Sequence, residues 1–314
     1  MRVAITGSHG FIGRQVAAHF REEGHHITGL DLNPTEAPHF DRVIQGSILS
    51  KRHLEEAFED IDTVIHTAAI VEEGGDIERF NRLNVDGARL VAEVAKARGA
   101  KRLLHLSSVM VYGFDFPDQV TETQPLWPNG NPYCDSKIAS ESILMPLEDE
   151  TFRVIIVRPG DVIGAGSIPW VTRPLDLMRR HLFALPNGGR GRFNPIHVRD
   201  VARGLLHLSR LEAPLQSYNL VTGISVSCAE YFGELARTFG LRPPIKVPAT
   251  LLRTTASLMT KSADLLGFRT PFRADGVDFL LRTGTYNGDR LRDSGFFCIE
   301  TLKTFFDEVE NLSS

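Results

Sequence analysis

Apolar residues along the first half of the chain come in two alternating patterns. Short β-branched runs open with Val3-Ala4-Ile5-Thr6 and His26-Ile27-Thr28-Gly29-Leu30, and recur near residues 42–46, 62–67, 101–107 and 153–158. Between them, apolar positions fall at helical spacing: Phe11, Ile12, Val16, Ala17 and Phe20, then segments at about 51–58, 77–98 and 135–147. Buried strands separated by amphipathic helices predict an α/β fold, a Rossmann-type doubly wound parallel sheet with helices on both faces. In such a sheet the ligand lies beyond the carboxyl ends of the strands, which directs attention to Gly7, Asp31, Ser47, Ala68, Ser108 and Pro159. After residue 165 proline and glycine break the pattern. Regularity returns at 196–208, at the strand Tyr218-Asn219-Leu220-Val221, and at a helix whose Ser227 and Glu230 match a capping box.

Composition narrows the class. With 314 residues and 42% hydrophobic content the chain can bury a large core, and its length suits a nucleotide domain with a smaller C-terminal substrate lobe. A formal net charge of -4 with scattered arginines gives no nucleic-acid surface, so a small-molecule partner is expected. Cys134, Cys228 and Cys298 are odd in number and widely spaced, fitting neither a disulfide framework nor a zinc site. No leader-like segment and no apolar run of the roughly 20 residues that cross a bilayer is present, so a cytoplasmic protein without a membrane span is expected.

Residues 5–13, ITGSHGFIG, sit between the first strand and the first helix. In that context Gly7 permits a tight turn, Gly10 lets backbone approach a ligand, and Gly13 lets helix pack on strand. The new helix N-terminus then points free N–H groups at an anion such as a pyrophosphate. A glycine triplet alone also suits a surface turn. Asp31, eighteen positions after Gly13 at the end of the second strand, is placed to accept hydrogen bonds from an adenosine ribose and to repel the extra phosphate of NADP, though a strand-end turn acid is the plain alternative. Residues 1–165, with about 195–225, are accordingly expected to form the dinucleotide-binding domain, and 166–314 mainly the substrate lobe.

In YCDSK, Tyr133 and Lys137 are four apart and share one helical face. Such a pair arises by chance in roughly one chain in ten. LSSVMVYG adds Ser107 and Ser108 at the end of a buried strand, where a hydroxyl can polarise a substrate oxygen. A phenol with an ordinary pKa of about 10 needs the Lys137 cation, and an oxidised nicotinamide, to act as a base near neutrality.

Taken together, TGSHGFIG, LD at 30–31, VIHTAA, LNVDGARLV, LSSVMVYG, YCDSK, VRPGDVIGAG, PIHVRDVARG and YNLVTG, in this order, resemble the extended short-chain dehydrogenase/reductases, the NAD-dependent epimerase/dehydratase family. The resemblance implies Ser108, Tyr133 and Lys137 as the catalytic trio. It places Asn84 as the helix asparagine that supports the site, Ala68 and Ala69 beside the cofactor, and Pro159 to Val162 against the nicotinamide. Phe11, Ile12, Ser47, Ile48 and Ser107 complete the implied cofactor contacts, with Ser47 standing where the family usually has an aspartate. NAD is the expected cofactor, ahead of NADP, and a homodimer the expected assembly.

Val109 and Met110 occupy the places of the acidic pair that dehydratases of the family require. Phe193 stands where nucleotide-sugar enzymes place an arginine, with Arg192 adjacent. FNPIHVRDVARG and PATLLRTTASLMTKSADLLGF resemble the sterol-dehydrogenase and flavonol-reductase-like branch. The expected function is hydride transfer between nicotinamide and a secondary alcohol or ketone. A nucleotide-sugar epimerase with tightly bound NAD and a non-catalytic dinucleotide sensor are the alternatives. No metal site is expected: His25 and His26 point to opposite strand faces. His66 reads as a satisfied core histidine, His197 as a lobe-junction residue and Cys134 as packing. Asp161 is either a substrate contact or a strand-end turn. The apolar faces around Val85, Leu90, Val91 and Val94, and around Ile138 and Ile143, are core or a dimer seam.

Overall fold

The structure is a computed structural model that describes residues 1–35, 38–72, 74–266 and 274–313. Seven strands form its central sheet: β1 (Arg2–Thr6), β2 (His26–Asp31), β3 (Arg42–Gln45), β4 (Thr63–His66), β5 (Arg102–Leu106), β6 (Arg153–Pro159) and β7 (Ser217–Leu220). Their spatial order is β7-β6-β5-β4-β1-β2-β3, and every pairing is parallel. Chain order therefore reverses between β1 and β4, and the crevice at that switch point opens at the carboxyl ends of the strands.

Alternate strand residues serve opposite faces. Val3, Ile5, Ile65, Leu104 and Val157 join Val16 and Phe20 of the helix Phe11–Glu22 and Leu205 of the helix Val198–Arg210 in one core cluster. On the opposite face Ala4, Val64, Leu103 and Ile156 pack with Leu54, Val91 and Leu144. A third cluster, with Phe193, Tyr231, Phe232 and Phe305 at its centre, lies outside the sheet and is built from residues 163–309. Two-residue and three-residue strand pairs, such as Asp161–Ile163 with Pro195–His197, brace this region.

Element boundaries differ from the periodicity in three places. The helix expected at 77–98 consists of Ile77–Phe80, a π-helical stretch Asn81–Asp86 and Gly87–Ala97. The helix expected at 135–147 begins at Pro132, because the Asn131 side chain accepts from the Tyr133 and Cys134 amides and proline suits the first turn, and it ends at Leu144 before a tighter turn, Met145–Leu147. Residues 168–179 form a helix rather than loops, π-helical to Thr172 and α-helical from Arg173. Its two prolines, Pro169 and Pro174, each lie at the start of a segment, where a missing N–H is tolerated. Ser227 and Glu230 make the expected capping box.

Candidate active site

The first turn of the crevice is fixed by close packing. Gly7 has φ +68°, and a Cβ there would lie 2.7 Å from the Ala68 backbone; a Cβ at Gly13 would lie 2.2 Å from the Gly7 carbonyl oxygen. Neither position admits a side chain. Gly10 caps the helix Phe11–Glu22 with no side-chain hydrogen bond, and no acidic residue lies in the first turn, so the helix start retains its capacity for an anion. Half-buried Phe11 and Ile12 open that helix, and the Phe11 ring covers Gly164 in the loop beyond β6.

At the end of β2, Asp31 accepts hydrogen bonds from the His9 amide (2.9 Å) and the Asn33 amide (3.2 Å). It is half-buried, and its carboxylate braces the glycine loop. Arg14 reaches the same rim, donating to the His9 carbonyl and to Thr35. Beyond β3, the Ser47 amide donates to His53 Nδ1 and its hydroxyl accepts from the Leu49 amide, while Ile48 is buried against Gly87. Ala68 and Ala69, partly exposed, follow β4. Pro159 ends β6, and Val162 lies in the short strand after it.

Asn84 sits inside the π-helical stretch, buried. Its side chain accepts from the Ile70 amide (2.8 Å) and donates to the Ile70 carbonyl (3.2 Å) and to Ser136 Oγ (3.0 Å). One asparagine thus ties the loop after β4 to the helix that carries Tyr133. The wider π turn accompanies this function, as such irregularities often do at sites.

Ser108 lies directly beyond β5. Its Oγ accepts from the Met110 amide (3.2 Å), and its side chain lies beside the Tyr133 phenol. Burial pushes the Tyr133 phenol up to about 12, with the neighbouring Ser108 side chain pulling in the opposite direction. One turn later, buried Lys137 donates from Nζ to the Leu106 carbonyl (2.7 Å). Burial brings its ammonium down to about 8, against the opposing carboxylate of Glu141. Ser108 is the neighbour that favours phenolate, and Lys137 Nζ is aimed at the end of β5. At neutral pH the phenol keeps its proton.

The Ser107 hydroxyl donates to Glu141. Glu141 is fully buried and is gripped by Arg158 through Nη2 (2.6 Å) and Nε (3.0 Å); Arg158 also donates to the Tyr112 hydroxyl (2.7 Å). Sequence reasoning missed this pair, although Tyr133, Lys137 and Glu141 repeat at four-residue spacing on one helical face. Asp161 is neither of its expected alternatives: both its oxygens lie 2.9 Å from Arg282 Nη2, and it also accepts from the Asn194 amide. Arg282 is fully buried and contributes from the far end of the chain. No spacing in the sequence signals that pair.

His66 and His105 are register partners on β4 and β5, with rings stacked 5.2 Å apart. His66 Nδ1 meets Thr6 Oγ1 (2.6 Å) and His105 Nε2 meets Ser140 Oγ (3.0 Å), yet His66 Nε2 and His105 Nδ1 are buried without a partner. The core placement of His66 holds; full satisfaction does not. Burial, reinforced by the Lys137 charge, drives His66 down to about 3 and His105 well below its ordinary value. His197 caps the helix Val198–Arg210 and lies 3.3 Å from Glu308, a junction role. Buried Cys134 packs beside Val111, Tyr112 and Val221. Among the described residues no group of three or more histidine, cysteine or acidic side chains is arranged to hold a metal, and no helix is long and apolar enough to cross a membrane.

A model of the NAD dependent epimerase/dehydratase family matches residues 3–220, from β1 through β7. The chain belongs to that family. Its members are NAD-dependent dehydrogenases, reductases and epimerases, and the chain is an enzyme of this kind. The glycine turn, the uncapped helix start and Asp31 fit a dinucleotide. Among curated relatives, a 4-hydroxy-2-methyl-3-oxo-4-farnesyl-3,4-dihydroquinoline-1-oxide ketoreductase of Stigmatella aurantiaca is 25% identical, over 93% of this chain and 90% of the relative. A UDP-glucose 4-epimerase of Bacillus subtilis is 26% identical, over 78% of this chain and 84% of its own. The solved structure of MoeE5 in complex with UDP-glucose and NAD superposes with a TM-score of 0.80 at 23% identity, over 100% of both chains, which establishes the fold.

Proposed function

We propose that this enzyme transfers hydride between NAD and a secondary alcohol or ketone, with Ser108, Tyr133 and Lys137 in the catalytic roles. The placement of Ser108 directly beyond β5, with its side chain beside the Tyr133 phenol and Lys137 one helical turn from that tyrosine, carries the reading. A carbonyl oxygen placed between the two hydroxyls would accept from both. Ser108 then stabilises the charge that develops on that oxygen, and Tyr133 hands its proton to it. Because the free phenol is held up to about 12, it is protonated at neutral pH, the form that ketone reduction consumes. NAD, bound along the glycine turn and Asp31, would supply or take the hydride. Lys137 keeps donor capacity beyond its bond to Leu106 for a nicotinamide ribose. Residues 1–165 with about 195–225 would hold the dinucleotide, residues 166–314 would supply most of the substrate lobe, and the faces around Leu90 and Ile143 would pair two copies.

Hydride exchange is favoured over sugar-nucleotide chemistry by Phe193, which is fully buried and stacked on Tyr231 with ring centroids 4.0 Å apart. No cation stands at that place, and Arg192 is turned to the surface. Buried Val109 and Met110 offer no acid for dehydration. The ketoreductase relative agrees with this reading, while the UDP-glucose 4-epimerase relatives support a second one, epimerisation with retained NAD. Denaturing the purified protein separates them, since stoichiometric released NAD marks the epimerase. A screen of ketones, alcohols and nucleotide sugars followed by nicotinamide absorbance tests the first reading. With an active substrate found, Tyr133→Phe should bind NADH and lose turnover by roughly a hundredfold or more. Wild-type turnover in that variant refutes the assignment.

A further inference from the structure

Charge is spread unevenly along the chain. Residues 177–199 contain five arginines, and residues 235–263 three arginines and two lysines, with no acid in either stretch, although the whole chain has a net charge of -4. The fold brings the two stretches together, because Ala184–Pro186 pairs in parallel with Ile245–Val247. Some of these cations are neutralised: Arg179 by Asp176, Arg199 by Glu300, Arg237 by Glu234 and Arg253 by Asp278. Arg180, Arg242 and Lys246 are exposed, and no acid pairs with them among the described residues. Each lies within three residues of Leu182 or Ile245.

Aliphatic side chains surface at the same place. Leu182, Ile245, Leu251, Leu258 and Met259 are between 44% and 61% exposed. Leu182 lines one surface cleft with Leu252 and Ala256, and Ile245 is the register partner of Ala184, another residue of its lining. On the helix Ala249–Leu266, Leu252 and Ala256 turn into that cleft, while Leu251 and Leu258 lie two turns apart on its outer flank. Thr250, Arg253, Thr254 and Ser257 make the polar side of the helix. Gly267 and Phe268, at the end of the apolar stretch that begins at Pro248, lie outside the described residues, and this face does not draw on them.

We propose that this face binds the surface of an anionic lipid bilayer, with Ile245, Met259 and the leucines entering the acyl boundary while Arg180, Arg242 and Lys246 meet the lipid phosphates. The combination of side chains decides the occupant. Long basic side chains carry their charge to the level of the headgroups while aliphatic neighbours stay in the apolar layer. A nucleic acid would use the cations and leave the aliphatic residues facing water. A protein interface is ordinarily centred on tryptophan, tyrosine and arginine, with leucine under-represented, and this face exposes neither aromatic residue. The attachment is peripheral, since no helix among the described residues is long and apolar enough to cross a membrane. It does not depend on the chemistry assigned to Ser108 and Tyr133.

Co-sedimentation of the whole protein with vesicles, in the presence of NAD, tests this. Binding should be strong to vesicles of phosphatidylcholine with about 40% phosphatidylglycerol, weak to phosphatidylcholine alone, and should decline as salt is raised from about 0.05 M to about 0.5 M. Arg180→Gln combined with Lys246→Gln should weaken partition by about 25-fold, because each cation near such a surface contributes about fivefold. Leu251→Gln combined with Leu258→Gln should weaken it by at least about 20-fold, because more than half of each side chain is still in water and would be withdrawn from it. Unaltered NADH affinity shows that these surface variants are folded, and Ile245→Gln on the other segment is an independent check of the apolar contribution. Failure to bind the anionic vesicles overturns the proposal. So does a loss in the charge variant with none in the leucine variant, which marks a phosphate contact without insertion. Sedimentation equilibrium without lipid covers a second copy as occupant: a wild-type dimer that the leucine variant dissociates assigns the face to self-association and refutes the bilayer.

Discussion

Acid should unfold this protein from an unusually high pH, because of the stacked His66–His105 pair. Both rings are fully buried on adjacent strands, each has one nitrogen with no partner, and both lie near the Lys137 ammonium. In the unfolded chain each histidine takes a proton near pH 6.5; in the folded chain His66 resists until about 3, and His105 is depressed in the same direction. A depressed folded-state value means that the unfolded state binds more protons below 6.5. Stability is therefore intact above that pH and is lost as pH falls. Each histidine removes up to about 1.4 kcal/mol per pH unit, which is about 2 kcal/mol at pH 5 and about 4 kcal/mol for the pair. Against a typical total of roughly 5–15 kcal/mol that loss is large. Urea unfolding followed by circular dichroism at pH 7.5, 6.0 and 5.0 measures it, with His66→Gln/His105→Gln as the control that cannot titrate. The wild type should lose stability progressively and the control much less. Equal pH slopes in the two proteins would refute the argument.

Other consequences are open to direct measurement. Glu141→Gln leaves Arg158 buried without its counter-charge and should cost about 3–5 kcal/mol in urea unfolding, whereas Glu141→Leu combined with Arg158→Met should recover most of that loss; a double variant as unstable as the single one argues against the pair. The same Glu141→Gln change removes the carboxylate that supports the Lys137 charge, so the pH at which that ammonium deprotonates should move below about 8, read as an earlier alkaline decline of turnover. Asp31→Ala should narrow the preference for NADH over NADPH measured by fluorescence titration, and tighter NADPH binding in the unaltered protein contradicts the role given to that carboxylate. Gly13→Ala drives a Cβ into the Gly7 carbonyl, so NADH affinity should fall at least tenfold by the same titration; unchanged affinity means that the turn yields more than its packing suggests.

Much of the sheet was legible because parallel strands buried on both faces write themselves as continuous apolar runs, and the glycine turn because only glycine fits at Gly7 and Gly13. Ser108, Tyr133 and Lys137 could be read from one strand end and one helical face. Less visible were features that depend on distant parts of the chain. The π-helical turn at Asn84 leaves no trace in helical periodicity, since the pattern on either side continues. Helix 168–179 was hidden by prolines that are harmless at its segment starts. Ser107 and Ser108 are adjacent and chemically alike, and only the tertiary structure shows that the first hydroxyl is tied to buried Glu141 while the second accepts from the Met110 amide. Asp161 and Arg282 are 121 residues apart, so their pairing is a property of tertiary structure alone.

The position of β7 governs how the molecule could be divided. Four register pairs, from Ser217 against Ile156 to Leu220 against Pro159, cover the outer side of β6 with a strand that the chain supplies only after it has passed through the third apolar cluster. A cut near residue 165 would strip β6 of that cover, expose a row of unpaired amides and carbonyls on an apolar strand, and take from Asp161 its partners Arg282 and the Asn194 amide. The fragment would be prone to pair edge to edge with copies of itself. Exchanging the substrate-binding part between relatives therefore calls for two joints, one after β6 and one beyond β7, with the Asp161–Arg282 contact carried across as a matched set.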